Sequence, residues 1–135
     1  MIFVDTTAWF ARYTPRDAYH AEARAFHLDN QQPLITTDYV VDEALTLFKT
    51  RGNYQRAVHF GHRVFSGGLA QLVWIQPTDI EAAWSIFERF GDKEWSFTDC
   101  VSYVVIERPA IKTAFAFDKH FHQFGMVEVV PSRQQ

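Results

Sequence analysis

The chain has 135 residues, 47% of them hydrophobic, and its 13 basic and 16 acidic residues give a formal net charge of −3. This length and composition predict one globular domain over residues 1–135, and they exclude a disordered chain and an apolar run near the ~20 residues of a membrane span. The charge neither supports nor excludes RNA binding, because residues 1–63 are balanced, with seven basic and seven acidic side chains.

Short apolar runs and capping residues predict strands that alternate with helices. In the first half they predict a strand over Ile2–Val4, a helix from a Thr6 or Thr7 cap to about Arg12, a helix over 18–28, a strand over Leu34–Thr36, a helix from a Thr37 or Asp38 cap to Thr50, and a helix over Tyr54–Phe65 that stops at Gly67 and Gly68.

The second half continues the alternation. It predicts a strand over Leu72–Ile75, a helix from the capping-box pattern Thr78-Asp79-Ile80-Glu81 to about Phe90, a polar loop from Gly91 to Trp95, a helix within Ser96–Glu107, and strands over Thr113–Phe117 and Met126–Val130. Strands separated by helices are typical of an α/β fold, with a parallel sheet covered by helices on both faces.

Two of the predicted strands end in an aspartate, Asp5 and Asp118. Ligands of open α/β sheets bind beyond the carboxyl ends of the strands. If the two strands are neighbours, both carboxylates lie at one edge of the sheet. An aspartate after a strand can also simply cap a helix or form a turn, and that alternative stays open for each residue.

Two further acids occur in helices. Glu43 falls at the edge of an apolar helical stripe, whereas Asp42 points to solvent; a buried Glu43 needs either an arginine partner or a metal ion. Asp99 follows Ser96 at the spacing of a capping box, which gives it a structural role. The helix beyond Asp99 is apolar nearly all round, which indicates that its first turn faces a cleft or the core.

Four converging carboxylates repel one another unless a cation neutralises them. Oxygen ligands alone favour Mg²⁺ or Mn²⁺ over zinc. Such an ion polarises a phosphodiester and activates a water, so the pattern is compatible with a hydrolase that has no side-chain nucleophile.

At these acids the sequence resembles the PIN-domain family, especially the VapC-type toxins of bacterial toxin–antitoxin pairs. The resemblance spans the chain and lies in the segments VDTTAW, DAYHAEARAF, VVDEALTLF, SFTDCVSY and FAFDKHF. It assigns metal binding and catalysis to Asp5, Glu43, Asp99 and Asp118. Some relatives carry another acid two residues after the fourth aspartate; here His120 takes that position, which leaves open whether a second metal site is complete.

The resemblance further implies a three-layer α/β/α sandwich, dependence on Mg²⁺ or Mn²⁺, endonucleolytic cleavage of RNA, a homodimer and an antitoxin protein that blocks the site. Thr6 and Thr98 would orient ligands or water. Arg12, Arg16 and Lys119 are candidates for holding phosphates, with solvated surface as the alternative reading.

Two other functions remain as alternatives. A Mg²⁺-dependent phosphatase with Asp5 as nucleophile would usually need a second aspartate where Thr7 stands. A protein-interaction module on the same fold would use the acids in ion pairs.

Several remaining residues have structural interpretations. The lone Cys100 lies in an apolar run, which predicts a core thiol, and with no signal peptide in the sequence it indicates the cytoplasm. The spaced histidines His59 and His62, and His120 and His122, lack cysteine partners and are expected at the surface or at the rim of a site rather than on zinc. Aromatic residues are expected to pack: Trp9 and Phe10 in the core rather than on RNA bases, and Trp74, Trp84 and Phe87 in the core or a dimer interface.

Overall fold

A computed structural model describes residues 1–51 and 53–132. In chain order the elements are β1 (Ile2–Val4), α1 (Thr6–Tyr13), α2 (His20–Asp29), β2 (Leu34–Thr37), α3 (Asp38–Thr50), α4 (Tyr54–Phe65), β3 (Gln71–Val73), α5 (Pro77–Arg89), α6 (Phe97–Ile106), β4 (Thr113–Phe115), α7 (His120–Phe124) and β5 (Glu128–Val130). The predicted α/β fold is confirmed.

The five strands form one parallel sheet in the order β3-β2-β1-β4-β5. The central strand β1 is fully buried because all three of its residues are apolar. Its register sets Val4 opposite Phe115 on β4. The chain runs outward from β1 to β2 and β3, then crosses back to β4 on the other side. The gap between the ends of β1 and β4 is therefore the switch point of the sheet, where ligands of such folds bind.

The crossover connections place helices on both faces of the sheet. Crossovers between parallel strands are right-handed, so steps in opposite directions put their helices on opposite faces. Helices α1–α4 belong to the steps from β1 to β3, and α5–α7 to the steps from β3 to β5. This is the three-layer α/β/α sandwich expected from the sequence. Within the described residues, no helix combines the length and hydropathy needed to cross a bilayer.

Aromatic side chains fill the core. Trp9 is 1% exposed and packs on Phe60 at a centroid distance of 5.3 Å, as expected from the sequence. Phe10 is half-buried against Phe48. Burial raises the pKa of the Cys100 thiol to about 11, which confirms an inert core thiol.

The predicted interface aromatics are at the surface instead. Trp74, Trp84 and Phe87 are 57%, 53% and 41% exposed, so the core alternative is wrong for them. Trp84 stacks on Phe87, one turn further along α5. A role in a dimer interface stays a prediction.

Two predicted helix starts differ from the structure. The residue that caps α1 is Asp5, not Thr6 or Thr7, because the carboxylate of Asp5 accepts the backbone N–H of Thr7 at 3.4 Å. Helix α5 begins at Pro77, whose fixed φ suits the first helical position, and the Gln76 N–H donates to Asp79 at 2.9 Å. The capping box is therefore formed by Gln76 and Asp79, two residues before the predicted box from Thr78 to Glu81.

The last third of the chain also departs from expectation. Strand β4 ends at Phe115 and β5 begins at Glu128, so both strands are shorter than predicted. Between them lies α7, a five-residue helix that the sequence reading missed and that ends at Gly125 with a left-handed φ of 73°. This helix begins at His120, beside the candidate site.

Candidate metal centre

The ends of β1 and β4 are joined by the hydroxyl of Thr7. Its Oγ1 donates to Oδ2 of Asp5 at 3.0 Å and accepts the backbone N–H of Phe117 at 3.0 Å. The Asp5 N–H also donates to the carbonyl of Phe115 at 3.0 Å. These bonds fix the segment that leads to Asp118 beside the end of β1. The predicted meeting of Asp5 and Asp118 at the switch point of the sheet is thus what the structure shows.

Three side chains from two helices and a loop form a cluster with the geometry of a metal site. Asp99, Asp118 and His120 each offer one ligand atom, and these atoms lie within 4.8 Å of one another. Nδ1 of His120 is 2.8 Å from Oδ2 of Asp99, and the His120 N–H donates to Oδ1 of Asp118 at 2.9 Å. Asp99 also forms the predicted capping box with Ser96. Asp99 therefore caps α6 and belongs to the cluster at the same time.

Asp5 lies against this cluster and responds to its charge. Burial raises the pKa of the Asp5 carboxyl well above the ordinary value of 3.8, and the carboxylates of Asp118 and then Asp99 raise that pKa further. Burial also raises the pKa of Asp99, against the opposing effect of its hydrogen bond from the Ser96 backbone. The buried carboxyls of Asp5 and Asp99 thus disfavour their own negative charge, which a bound cation would neutralise.

The fourth predicted acid, Glu43, stands at a separate wall of the site. Its half-buried side chain lines a cavity of about 440 Å³ together with Thr6 and Thr98, the two residues expected to orient ligands. Glu43 is not part of the cluster of three ligand atoms. None of the ion pairs within residues 1–51 and 53–132 includes Glu43, so the arginine alternative is not supported. Asp42 is exposed, as expected.

An orphaned hydroxyl supports a bound ion here. Oγ1 of Thr6 is buried and has no hydrogen-bond partner among the described residues, which is costly unless a ligand or its water satisfies it. The ligand atoms of the cluster of Asp99, Asp118 and His120 are carboxylate oxygens and one imidazole nitrogen. That set suits Mg²⁺ or Mn²⁺ and lacks the thiolates of structural zinc sites. The residues present therefore fit a divalent cation.

Comparison with known proteins agrees with this geometry. A family model described as the PIN domain matches residues 2–126. The chain belongs to the PIN domain family. The predicted family is confirmed.

Relatives of this PIN domain are named as ribonucleases. The 23S rRNA-specific endonuclease VapC20 of Mycobacterium tuberculosis is 31% identical over 131 residues, 97% of this chain and 99% of the relative. A VapC ribonuclease of Archaeoglobus fulgidus is 26% identical over 125 residues, 87% of this chain and 77% of the relative.

Solved structures give the same fold. The crystal structure of M. tuberculosis VapC20, described as a sarcin–ricin loop cleaving toxin, has a TM-score of 0.89 at 29% identity and covers 96% of this chain and 98% of its own. FitAcB from Neisseria gonorrhoeae, at 16% identity, covers 96% of both chains with a TM-score of 0.63 and supports the fold alone.

The residues of the PIN domain that were predicted to bind phosphate lie outside the carboxylate cluster. Lys119 is exposed and pairs with the equally exposed Glu94 at 3.7 Å. Arg12 is half-buried, and its Nε donates to Nδ1 of His27 at 2.9 Å. Arg16 is exposed on a neighbouring cavity. Their contact with substrate stays a prediction.

The sequence reading missed His120 as a member of the site. It placed the histidine pairs at the surface or at the rim of a site: His59, His62 and His122 are exposed, and His120 is half-buried against Asp99. The available signal was its position two residues after Asp118, where some relatives carry an acid. The sequence did not predict the short helix α7, and it is this helix that positions the His120 ring against Asp99 of α6.

Proposed function

We propose that this PIN domain is a metal-dependent endoribonuclease of the VapC type, which hydrolyses RNA phosphodiester bonds with an activated water. The single observation that carries the proposal is the convergence of Asp99, Asp118 and His120 beside the buried Asp5 at the switch point of the sheet. The family and the ribonuclease names of its relatives support the same activity.

In this proposal Asp5, Asp99 and Asp118 bind a divalent cation. Glu43, on α3, forms one wall of the site. When bound, the cation supplies Lewis-acid polarisation of the phosphodiester and a water of lowered pKa. Thr6, whose hydroxyl lacks a partner, positions a ligand or water, and Thr98 stands on the same cavity. A phosphatase is less well supported, because Thr7 takes the position of a second acid and its hydroxyl is fully used in bonds to Asp5 and Phe117.

The physiological cation in this proposal is Mg²⁺ or Mn²⁺. Carboxylate oxygens suit both ions, whereas an imidazole nitrogen suits Mn²⁺ better than the harder Mg²⁺. His120 offers such a nitrogen next to Asp99 and Asp118. We therefore expect this chain to bind Mn²⁺ more tightly than Mg²⁺, with cellular Mg²⁺ as the more abundant competitor.

For the substrate we propose 23S ribosomal RNA, and its sarcin–ricin loop as the first target to test. The support is the similarity to VapC20 over nearly the full length of both chains, together with the high structural agreement. At 31% identity, more than two thirds of the aligned positions differ from those of VapC20. Transfer RNA and messenger RNA are therefore included as competing substrates.

The decisive experiment incubates purified protein with a sarcin–ricin stem-loop oligonucleotide in Mn²⁺, in Mg²⁺ and in EDTA. Wild type should cut at one position with either metal ion and not in EDTA. Asp99→Asn and Asp118→Asn should lower the rate by at least about a hundred-fold without loss of fold, while Asp29→Asn, an exposed acid on α2 that does not line the site cavity, should keep it. Cleavage in EDTA, or equal rates in all three variants, would reject the metal mechanism.

We also propose a homodimer and an antitoxin protein as partners, as the VapC resemblance implies. The exposed stack of Trp84 and Phe87 on α5 supports an interface, because large aromatic side chains are seldom left in water without a partner. Light scattering of wild type and of Trp84→Glu tests the dimer. A monomeric wild type would reject it.

A further inference from the structure

The negative net charge hides a segregated basic surface. Every arginine of the first 63 residues lines one of two adjoining cavities around α1, α2 and α4: Arg12, Arg16, Arg24, Arg51, Arg56 and Arg63. The smaller of the two, of about 290 Å³, is lined by Arg12, Arg24, Arg56 and Arg63 with His20 and His59. We call it the arginine cavity. Among the described residues that line it there is no carboxylate.

Two of these guanidinium groups are oriented by neutral partners. Nε of Arg12 donates to His27 at 2.9 Å, and an Nη of Arg63 donates to the hydroxyl of Tyr13 at 3.2 Å. Burial, and then the charges of Arg12 and Arg63, lower the pKa of His27 from its ordinary value of 6.5, so this ring is neutral at pH 7. Both arginines are thus held in place, and neither takes part in the ion pairs found within residues 1–51 and 53–132.

A row of adjoining cavities leads from the candidate metal centre to the arginine cavity. Four cavities follow one another along it, and each shares two lining residues with the next. From the carboxylates outward the shared pairs are Thr7 and Leu47, Phe10 and Asp17, and Pro15 and Arg56. Helix α1 spans the same path, and from Asp5 to Arg12 it rises about 10 Å.

We propose that the arginine cavity binds a phosphate group of the RNA substrate, a few nucleotides from the bond that is cut. The proposal rests on the nuclease function and goes beyond it by assigning a second binding site. The rise of about 10 Å along α1 is a distance that a strand of a few nucleotides spans. The planar fork of an arginine matches phosphate oxygens and binds them in pairs.

An acidic protein segment is the competing occupant, and the lining favours RNA. The centres of protein interfaces are rich in apolar and aromatic side chains. The arginine cavity has no aliphatic side chain other than Pro15 in its lining, and its aromatic Tyr13 is buried beneath the arginines with 5% exposure. Its connection to the metal centre is what a bound strand requires and what a separately docked peptide does not.

The test measures binding without cleavage. A fluorescein-labelled oligouridylate is titrated with protein in EDTA, and anisotropy gives the dissociation constant at several salt concentrations. Arg24→Gln/Arg56→Gln changes two exposed arginines of the cavity. It should raise the dissociation constant at least about ten-fold and reduce the slope of its salt dependence by about 0.7, the value for one lost phosphate contact on a single strand.

The matched control is Arg89→Gln/Lys112→Gln, which removes the same charge outside all four cavities. It should lower affinity less than three-fold with an unchanged number of phosphate contacts. Equal losses of RNA affinity in both double variants would show that net charge alone causes the effect, and would reject the site. Failure of wild type to bind at low salt, or an unchanged slope in the cavity variant, would reject it as well.

Two further readouts separate this site from its alternatives. If the cavity variant keeps oligouridylate but loses binding of poly-L-glutamate, the cavity belongs to an acidic protein segment and the proposal is wrong. Calorimetry with Mn²⁺ should give the same affinity for wild type and cavity variant, because the metal centre is separate. A wild type that binds RNA through the cavity yet cuts none would reject the nuclease function and keep the binding site.

Discussion

Nδ1 of His120 lies 2.8 Å from Oδ2 of Asp99, and this contact joins the first turns of α7 and α6. When Asp99 is ionised its carboxylate only accepts, so Nδ1 donates this hydrogen bond; in a neutral ring Nε2 is then the nitrogen with a free lone pair. A carboxylate that orients a ring in this way is the usual arrangement behind a metal-binding histidine. We therefore propose that His120 is either a metal ligand or a positioning residue for Asp99.

The first prediction concerns metal preference. His120→Ala should weaken Mn²⁺ binding about 10–100-fold and Mg²⁺ binding less, because the nitrogen donor favours Mn²⁺. His120→Asp, which restores an oxygen donor, should shift the ratio of the two affinities toward Mg²⁺. Calorimetric titration measures both, with the exposed His122→Ala as control. An unchanged ratio in His120→Ala and His120→Asp would leave the histidine with a structural role only.

A second prediction tests the hydroxyl that joins β1 to the segment after β4. Thr7→Val keeps the shape of the side chain but leaves the N–H of Phe117 without its acceptor at 3.0 Å. The free energy of unfolding should fall by about 1–3 kcal/mol, the cost of an unpaired buried polar group. Urea unfolding measures it. Thr7→Ser should recover most of the loss, and Thr46→Val, at an exposed position of α3, should change little.

Much of the site could be predicted because its signals are local. Asp5 directly follows an apolar run that can only be a buried strand, and Ser96 and Asp99 show the spacing of a capping box. The apolar stripe on α3 correctly predicted that Glu43 lies at its edge and that Asp42 is exposed to solvent. In each case one element of regular period fixes where the side chain points, and the parallel sheet then brings the ends of strands together.

Other features depend on contacts that no local pattern contains. The segment of α7 is too short to show a helical period, so the position of His120 was not predicted. The arginines from Arg12 to Arg63 come from α1, α2 and α4 and meet only after the chain has folded. Balanced charge along residues 1–63 concealed their separation from the acids. Charge counts along a sequence carry no information about which face a side chain takes.

A third prediction follows from the raised pKa of Asp5. An acid whose pKa is higher in the folded state stabilises the fold most below its unfolded value, and that contribution is lost as the pH rises from 3.8 through the folded pKa. In metal-free protein at neutral pH, Asp5→Asn should therefore raise the melting temperature, and the gain should shrink toward acidic pH. Asparagine still caps α1, so the helix is not the cause.

Added Mn²⁺ gives this prediction its internal control. It should raise the melting temperature of wild type, because it neutralises the buried carboxylates, and should raise that of Asp5→Asn much less. Asp42→Asn, at an exposed position, should follow wild type in both conditions. A loss of stability in metal-free Asp5→Asn at neutral pH would contradict the proposed electrostatic strain.

The last prediction concerns His27, which is outside the candidate metal centre and is joined to the arginine cavity by its hydrogen bond from Arg12. Burial and two arginines lower the pKa of His27 below 6.5, so folding disfavours its protonated form. The stability that the neutral ring contributes is present above the unfolded pKa and is lost as the pH falls through about 6.5 toward the folded pKa. His27→Asn keeps an acceptor for Arg12 without a titrating group. Its free energy of unfolding should fall less than that of wild type between about pH 7.5 and pH 5, whereas the exposed His122→Asn should follow wild type.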